Sequence, residues 1–138
     1  METNSKKPTA PFNLSRLSIL TPAQAESLIR QTLACEESVP IMAPKLLFCV
    51  LKLEGVRSPI ANILKQEALS AGAEAVVSQY SVNCAKPHTD VILAGTHKQL
   101  KHIAAKIRMQ SGPLEDERMQ EYIGLSDAIL REIKGRKE

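Results

Sequence analysis

Three short apolar runs, Lys45 to Leu53, Glu74 to Val82 and Asp90 to Ala94, are the stretches of this 138-residue chain that read as strands, and their number limits its architecture. A (β/α)₈ barrel takes eight strands and about 250 residues, so chemistry that depends on that scaffold has to come from another polypeptide. One domain is expected, because 43% hydrophobic residues suffice to bury a single core in a chain of this length. The run KLLFCVLKL at 45–53 is almost continuously apolar, the pattern of a strand buried on both faces.

Helix signals separate these runs. Thr21-Pro22-Ala23-Gln24 combines an N-cap threonine, a proline at the first helical position and a glutamine that closes a capping box; it predicts a helix over 22–36, with Pro40 and Pro44 marking a linker after it. Ser58-Pro59 opens a second helix that Gly72 can end in the left-handed conformation. Its Ala61, Leu64, Ala68 and Ala71 form a small-residue stripe suited to packing on a sheet. Thr96 and Gln99 form another capping box, followed by Leu100, Ile103, Ala104 and Ile107 at helical spacing. A final amphipathic helix is predicted over 114–134, with Met119, Tyr122, Ile123, Leu130 and Ile133 on one side.

Residues 1–20 therefore read as a disordered lead-in and 21–138 as a single α/β domain. The fold class is α+β: a small three-stranded mixed sheet in the order α-β-α-β-β-α-α, partly ferredoxin-like, with helices packed on the sheet. A three-stranded sheet has two edges to cover, so a homodimer is expected.

Composition narrows the function classes. Aromatic residues make up 3% with no Trp, which leaves no base-stacking platform, and a net charge of +3 is too small to mark a nucleic-acid binder. No apolar stretch is long enough for a membrane span. Cys35, Cys49 and Cys84 are an odd set without metal-ligand spacing, which predicts a reduced, cytoplasmic protein with neither disulfide framework nor metal. Cys84 and His88 lie four apart, but a metal site takes three or four ligands. His97 and His102, five apart, read as surface residues. The chain carries no nucleophile elbow, phosphate loop, dinucleotide fingerprint or zincin motif, and no cofactor is expected.

Two constellations remain. Asn62, Lys65 and Gln66 share one face of the second helix with Glu67 beside them, offering amides, an ammonium and a carboxylate to a heterocycle or to a partner protein. Gly95, Thr96 and Gln99 form a strand-to-helix junction where backbone N–H groups and the helix dipole can receive an anion. For each, the plainer reading is structural: a solvated helix face for the first, ordinary capping for the second.

The stretch LEGVRSPIANILKQE at 53–67, followed by Leu69, Gly72-Ala73-Glu74-Ala75-Val76, Val82-Asn83-Cys84 and TDVILAGT at 89–96 with Gln99, resembles a segment of dihydropteroate synthases of clostridial and related bacteria. In those proteins it forms an N-terminal domain ahead of the pterin-binding barrel. The similarity spans about 53–110, with Ile60 and Ala73 standing where Ala and Gly are expected. No residue of this chain matches the barrel's pterin or sulfa-site motifs, so the resemblance carries over no catalytic residue. It implies a stand-alone relative of the accessory domain, not an enzyme by itself. Such a relative would act with a barrel-type synthase or methyltransferase of folate, pterin or corrinoid one-carbon metabolism, or bind a pterin-like small molecule. The alternative is a homodimeric small-molecule sensor unconnected with folate synthesis. An autonomous enzyme, with Lys65 as the residue to test, is the third and weakest reading, because no nucleophile, base or metal set is assembled in the sequence.

Overall fold

The computed structural model describes residues 11–81, 83–110 and 117–134. Helix α1 (Pro22–Gln31) starts with the reciprocal Thr21–Gln24 capping box. It stops short of residue 36 because Leu33 takes a φ of 65°, a left-handed conformation through which a right-handed helix cannot continue. The stretch expected as a linker instead forms α2 (Ser38–Met42) and a 3₁₀ turn (Ala43–Lys45). Pro40 and Pro44 fit there because each lies in a first turn, where the missing N–H has no intrahelical acceptor to lose.

The next elements are β1 (Phe48–Arg57), α3 (Ser58–Ala71), β2 (Glu74–Val76), β3 (His88–Thr96), α4 (His97–Gln110) and α5 (Glu117–Lys134). The sheet order is β1-β3-β2, and β3 runs antiparallel to both neighbours. The class is α+β as expected, but the expected mixed sheet is corrected to an antiparallel one. Strands β1 and β2, joined through α3, point the same way yet never pair, because β3 is inserted between them as in a split β-α-β unit.

A second correction concerns β1. Cys49, Leu51 and Leu53 pack against the helical core, whereas Phe48 and Val50 are 64% and 66% exposed. A continuous apolar run does not by itself say that helices cover both faces, and here they cover one. The strand also runs past residue 53 through a bulge between Leu53 and Val56; Gly55 takes a φ of 70° and its amide donates to Asp90 Oδ1 at 3.1 Å. By contrast β2 is only three residues long; the rest of the predicted 74–82 strand is irregular at 77–78 and turn at 79–81, with Val82 outside the described residues.

The main core lies between the sheet and α3, α4 and α5, where Ile60, Leu64, Leu93, Leu100, Ile103 and Ile107 are fully buried. Gly72 ends α3 with a φ of 80°, as its position predicts. Ser58, read as a cap, does not cap α3; its hydroxyl donates to the Lys86 carbonyl. Helix α5 packs within the chain: Ile129 and Ile133 enter the core, while Arg57–Glu121 and Arg108–Asp127 ion pairs tie it to β1 and α4. The predicted start of this helix at 114–116 lies outside the described residues. A smaller cluster of Ala25, Ile29, Val39, Ala43 and Leu47 joins α1, α2 and the 3₁₀ turn. Residues 11–20 form neither helix nor strand, and Ile19 packs on that second cluster.

Candidate functional site

The polar face of α3 is partly consumed by its own chain. Asn62 Nδ2 donates to the Ser81 carbonyl at 2.7 Å, and Lys65 Nζ donates to the Ala75 carbonyl at 2.8 Å. Strand β2 lies at a sheet edge, where the Lys65 ammonium reaches its Ala75 carbonyl. Glu67 accepts from Gln110 Nε2 at 3.2 Å, and Gln66 is left exposed. Asn62 and Lys65 thus latch the 75–81 segment onto α3.

The strand-to-helix junction has a different surrounding. The Thr96 amide donates to Gln99 Oε1 at 2.9 Å and the Gln99 amide to Thr96 Oγ1 at 3.1 Å, while Gln99 Nε2 donates to the Gly72 carbonyl at 3.1 Å. The His97 amide is taken by the Leu47 carbonyl at 2.8 Å. Most of the backbone donors that an anion would use are therefore filled. Gly95 is there for space: a Cβ at that position would stand 3.0 Å from Ala73 Cβ and 3.1 Å from Gln99 Oε1.

Side chains supply what the backbone does not. Beside the junction is a cleft of about 530 Å³ with Lys45, Ser70, Thr96, Lys98, Gln99 and His102 on its walls. Two ammonium groups and an imidazole converge on it, and no acidic side chain lines it. Sequence reasoning placed Thr96 and Gln99 here but missed Lys45, which arrives from the 3₁₀ turn; His102 is exposed, as expected of a surface residue, and stands on the wall of the cleft. The i, i+4 spacing of Lys98 and His102, which puts both on one face of α4, was the available signal.

A contact with no signal in the sequence joins Cys49 to His97. The sulfur lies 3.2 Å from Nε2, next to a cleft of about 270 Å³ that His97, Lys101 and Glu26 help to line. Burial, and then the charge of Glu132, push the thiol pKa up; burial, and then Lys101, push the imidazole pKa down. Both shifts favour the neutral pair. An activated cysteine requires the opposite, a thiolate beside an imidazolium.

Among the described residues, no three His, Cys, Asp or Glu side chains gather in a way that could hold a metal ion, and no helix is long and apolar enough to cross a membrane. Comparison with protein-family models, with curated proteins and with solved structures returns no match for this chain.

Proposed function

We propose that this protein is a non-catalytic binding module related to the accessory domain of dihydropteroate synthases, which takes an anionic, pterin-like ligand in the cleft beside Thr96 and Gln99. The observation that carries the reading is the convergence of Lys45, Lys98 and His102 on that cleft without an opposing carboxylate. Ammonium groups suit a phosphate or carboxylate oxygen, and the Ser70 and Thr96 hydroxyls and the Gln99 amide suit the edge of a heterocycle. A volume of about 530 Å³ falls within the range of small-molecule sites, roughly 300–1,000 Å³. The latched α3 face, with Gln66 and Glu67 outward, is the surface left for a barrel-type synthase or methyltransferase. Folate, pterin or corrinoid one-carbon metabolism is the setting that the 53–110 resemblance implies. Three unbridged cysteines fit a cytoplasmic location.

Titration calorimetry with dihydropterin pyrophosphate, inorganic pyrophosphate and p-aminobenzoate tests the ligand. The pyrophosphate ester should bind, more weakly as salt rises, and a Lys45→Ala/Lys98→Ala variant should lose at least tenfold in affinity with its unfolding curve unchanged. Co-purification with a barrel-type synthase tests the partner. Absence of heat with all three compounds, together with no co-purification, overturns the proposal.

A further inference from the structure

The two hydrophobic clusters of the molecule meet at the cleft of about 270 Å³ beside Cys49 and His97, where Ala43 and Leu47 of the smaller cluster and Ile133 of the main core share the lining. Seams between separately packed units are favoured places for small-molecule sites. Pro22, Pro40 and Pro44 complete the apolar part of the wall. A proline has no amide N–H and a fixed φ, so this part offers no donor and is rigid before any ligand arrives.

Charges of both signs line this cleft without meeting. Glu26 comes from α1, Lys101 from the N-terminal part of α4 and Lys134 from the end of α5. Glu26 turns to Arg30 of its own helix at a loose 3.8 Å, and neither lysine has a carboxylate partner among the described residues. The opposite charges thus share one small, apolar-walled space and stay too far apart to pair. An anion alone would face Glu26, and a cation alone would face the two lysines. A zwitterion satisfies both. In an α-amino acid the two charged groups sit on one carbon, so a molecule small enough for this cleft can bridge them.

We infer that the cleft binds a free α-amino acid with an aliphatic side chain, its carboxylate toward Lys101 and Lys134, its ammonium toward Glu26 and its side chain against the prolines and Leu47. The volume of about 270 Å³ lies just below the roughly 300–1,000 Å³ of drug-sized sites, which suits a ligand smaller than those. The inference is independent of the pterin-ligand reading, because this cleft shares no residue with the cleft of Lys45, Lys98 and His102. His97 reports on occupancy. Burial, and then the Lys101 ammonium, hold its pKa below the ordinary value, and a carboxylate placed on Lys101 offsets the second of these causes. Cys49, Glu26, Glu132 and Lys134 are the other titratable groups around the imidazole, and none of them contributes to that lowering. The bound carboxylate therefore raises the His97 pKa, and the ammonium on Glu26 does not undo the rise.

Histidine ring resonances of the full chain, followed by NMR during titration with L-leucine, read the result. His97 is expected to shift with a dissociation constant in the millimolar range and to titrate at higher pH when leucine is bound, while His88 and His102 stay unmoved. 4-Methylpentanoate, which lacks the ammonium, and 3-methylbutylamine, which lacks the carboxylate, should each bind at least tenfold more weakly than leucine. Lys101→Gln and Glu26→Gln should each weaken leucine binding at least fivefold with urea unfolding nearly unchanged, since exposed charges contribute little to stability. Lys98→Gln, in the other cleft, should leave the affinity as it is. No shift of His97 with leucine overturns the inference. So does 4-methylpentanoate binding as tightly as leucine, which would make the cleft a plain anion site, and so does a shift confined to His102, which would put the amino acid in the other cleft.

Discussion

Cys49 Sγ and His97 Nε2 lie 3.2 Å apart across 48 residues of sequence, fastening the start of β1 to the first turn of α4. The sign of its pH response follows from the two shifts. Burial and Lys101 hold the His97 pKa below its ordinary 6.5, so the unfolded chain takes up a proton before the folded chain does. The stabilising contribution is complete above that value and is lost as pH falls from about 6.5 toward the lowered folded pKa. Cys49 acts at the other end: with its pKa raised above 9.0, the folded chain keeps the proton longer, and stability declines as pH rises through and beyond that value. Urea midpoints of the wild type should therefore fall between pH 7.5 and 5.5, and His97→Gln should flatten that slope. Equal slopes for the two proteins would show that His97 does not carry the effect.

Replacement of Lys65 by Met removes the side-chain donor to the Ala75 carbonyl, and replacement of Asn62 by Ala removes one of two donors to the Ser81 carbonyl, which keeps the Cys84 amide. Lys65→Met is expected to cost about 1–2 kcal/mol and Asn62→Ala about 1 kcal/mol, and both to speed amide exchange across residues 75–81. A ligand-reading face would behave differently, with unchanged unfolding and exchange but weaker binding.

Gly95→Ala pushes a methyl group against Ala73 and against the Gln99 amide that completes the α4 capping box. A loss of about 1–3 kcal/mol in urea unfolding is expected. Gly72→Ala should cost roughly 1 kcal/mol for a different reason, its φ of 80°, since the built Cβ meets only Gln99 Nε2 at 3.4 Å. If the two variants lost the same amount and both kept the capping box by NMR, the close approach at Gly95 would not be the cause.

The helix starts were legible because capping is local: Thr21–Gln24 and Thr96–Gln99 each need only four residues to declare themselves, and both form. Gly72 was legible for the same reason. What failed depended on distant partners. The apolar content of β1 did not reveal that one of its faces is open, since that depends on how many helices the sheet has to share. The Ser58 hydroxyl turned from capping to the Lys86 carbonyl because the loop before β3 folds back beside α3. The cleft was half legible: Thr96 and Gln99 are contiguous with the junction, whereas Lys45 reaches it only through the 3₁₀ turn that replaces the expected linker.

Three serines are buried, and they are not equivalent. Ser58 Oγ donates to the Lys86 carbonyl and Ser81 Oγ to the Ser78 carbonyl, whereas Ser126 Oγ on α5, 1% exposed, has no hydrogen-bond partner. A buried hydroxyl without a partner has lost its hydration with nothing in return, at a cost of about 1–3 kcal/mol. Ser126→Ala removes that group, keeps nearly the same shape and gains helix propensity of up to about 0.5 kcal/mol. The variant is therefore expected to be more stable than wild type by about 1 kcal/mol in urea unfolding, whereas Ser58→Ala, which strands the Lys86 carbonyl, is expected to be less stable by a similar amount. A destabilised Ser126→Ala would mean that the hydroxyl is satisfied in solution, and its α5 position makes the carbonyl of Tyr122, one turn back, the acceptor to examine.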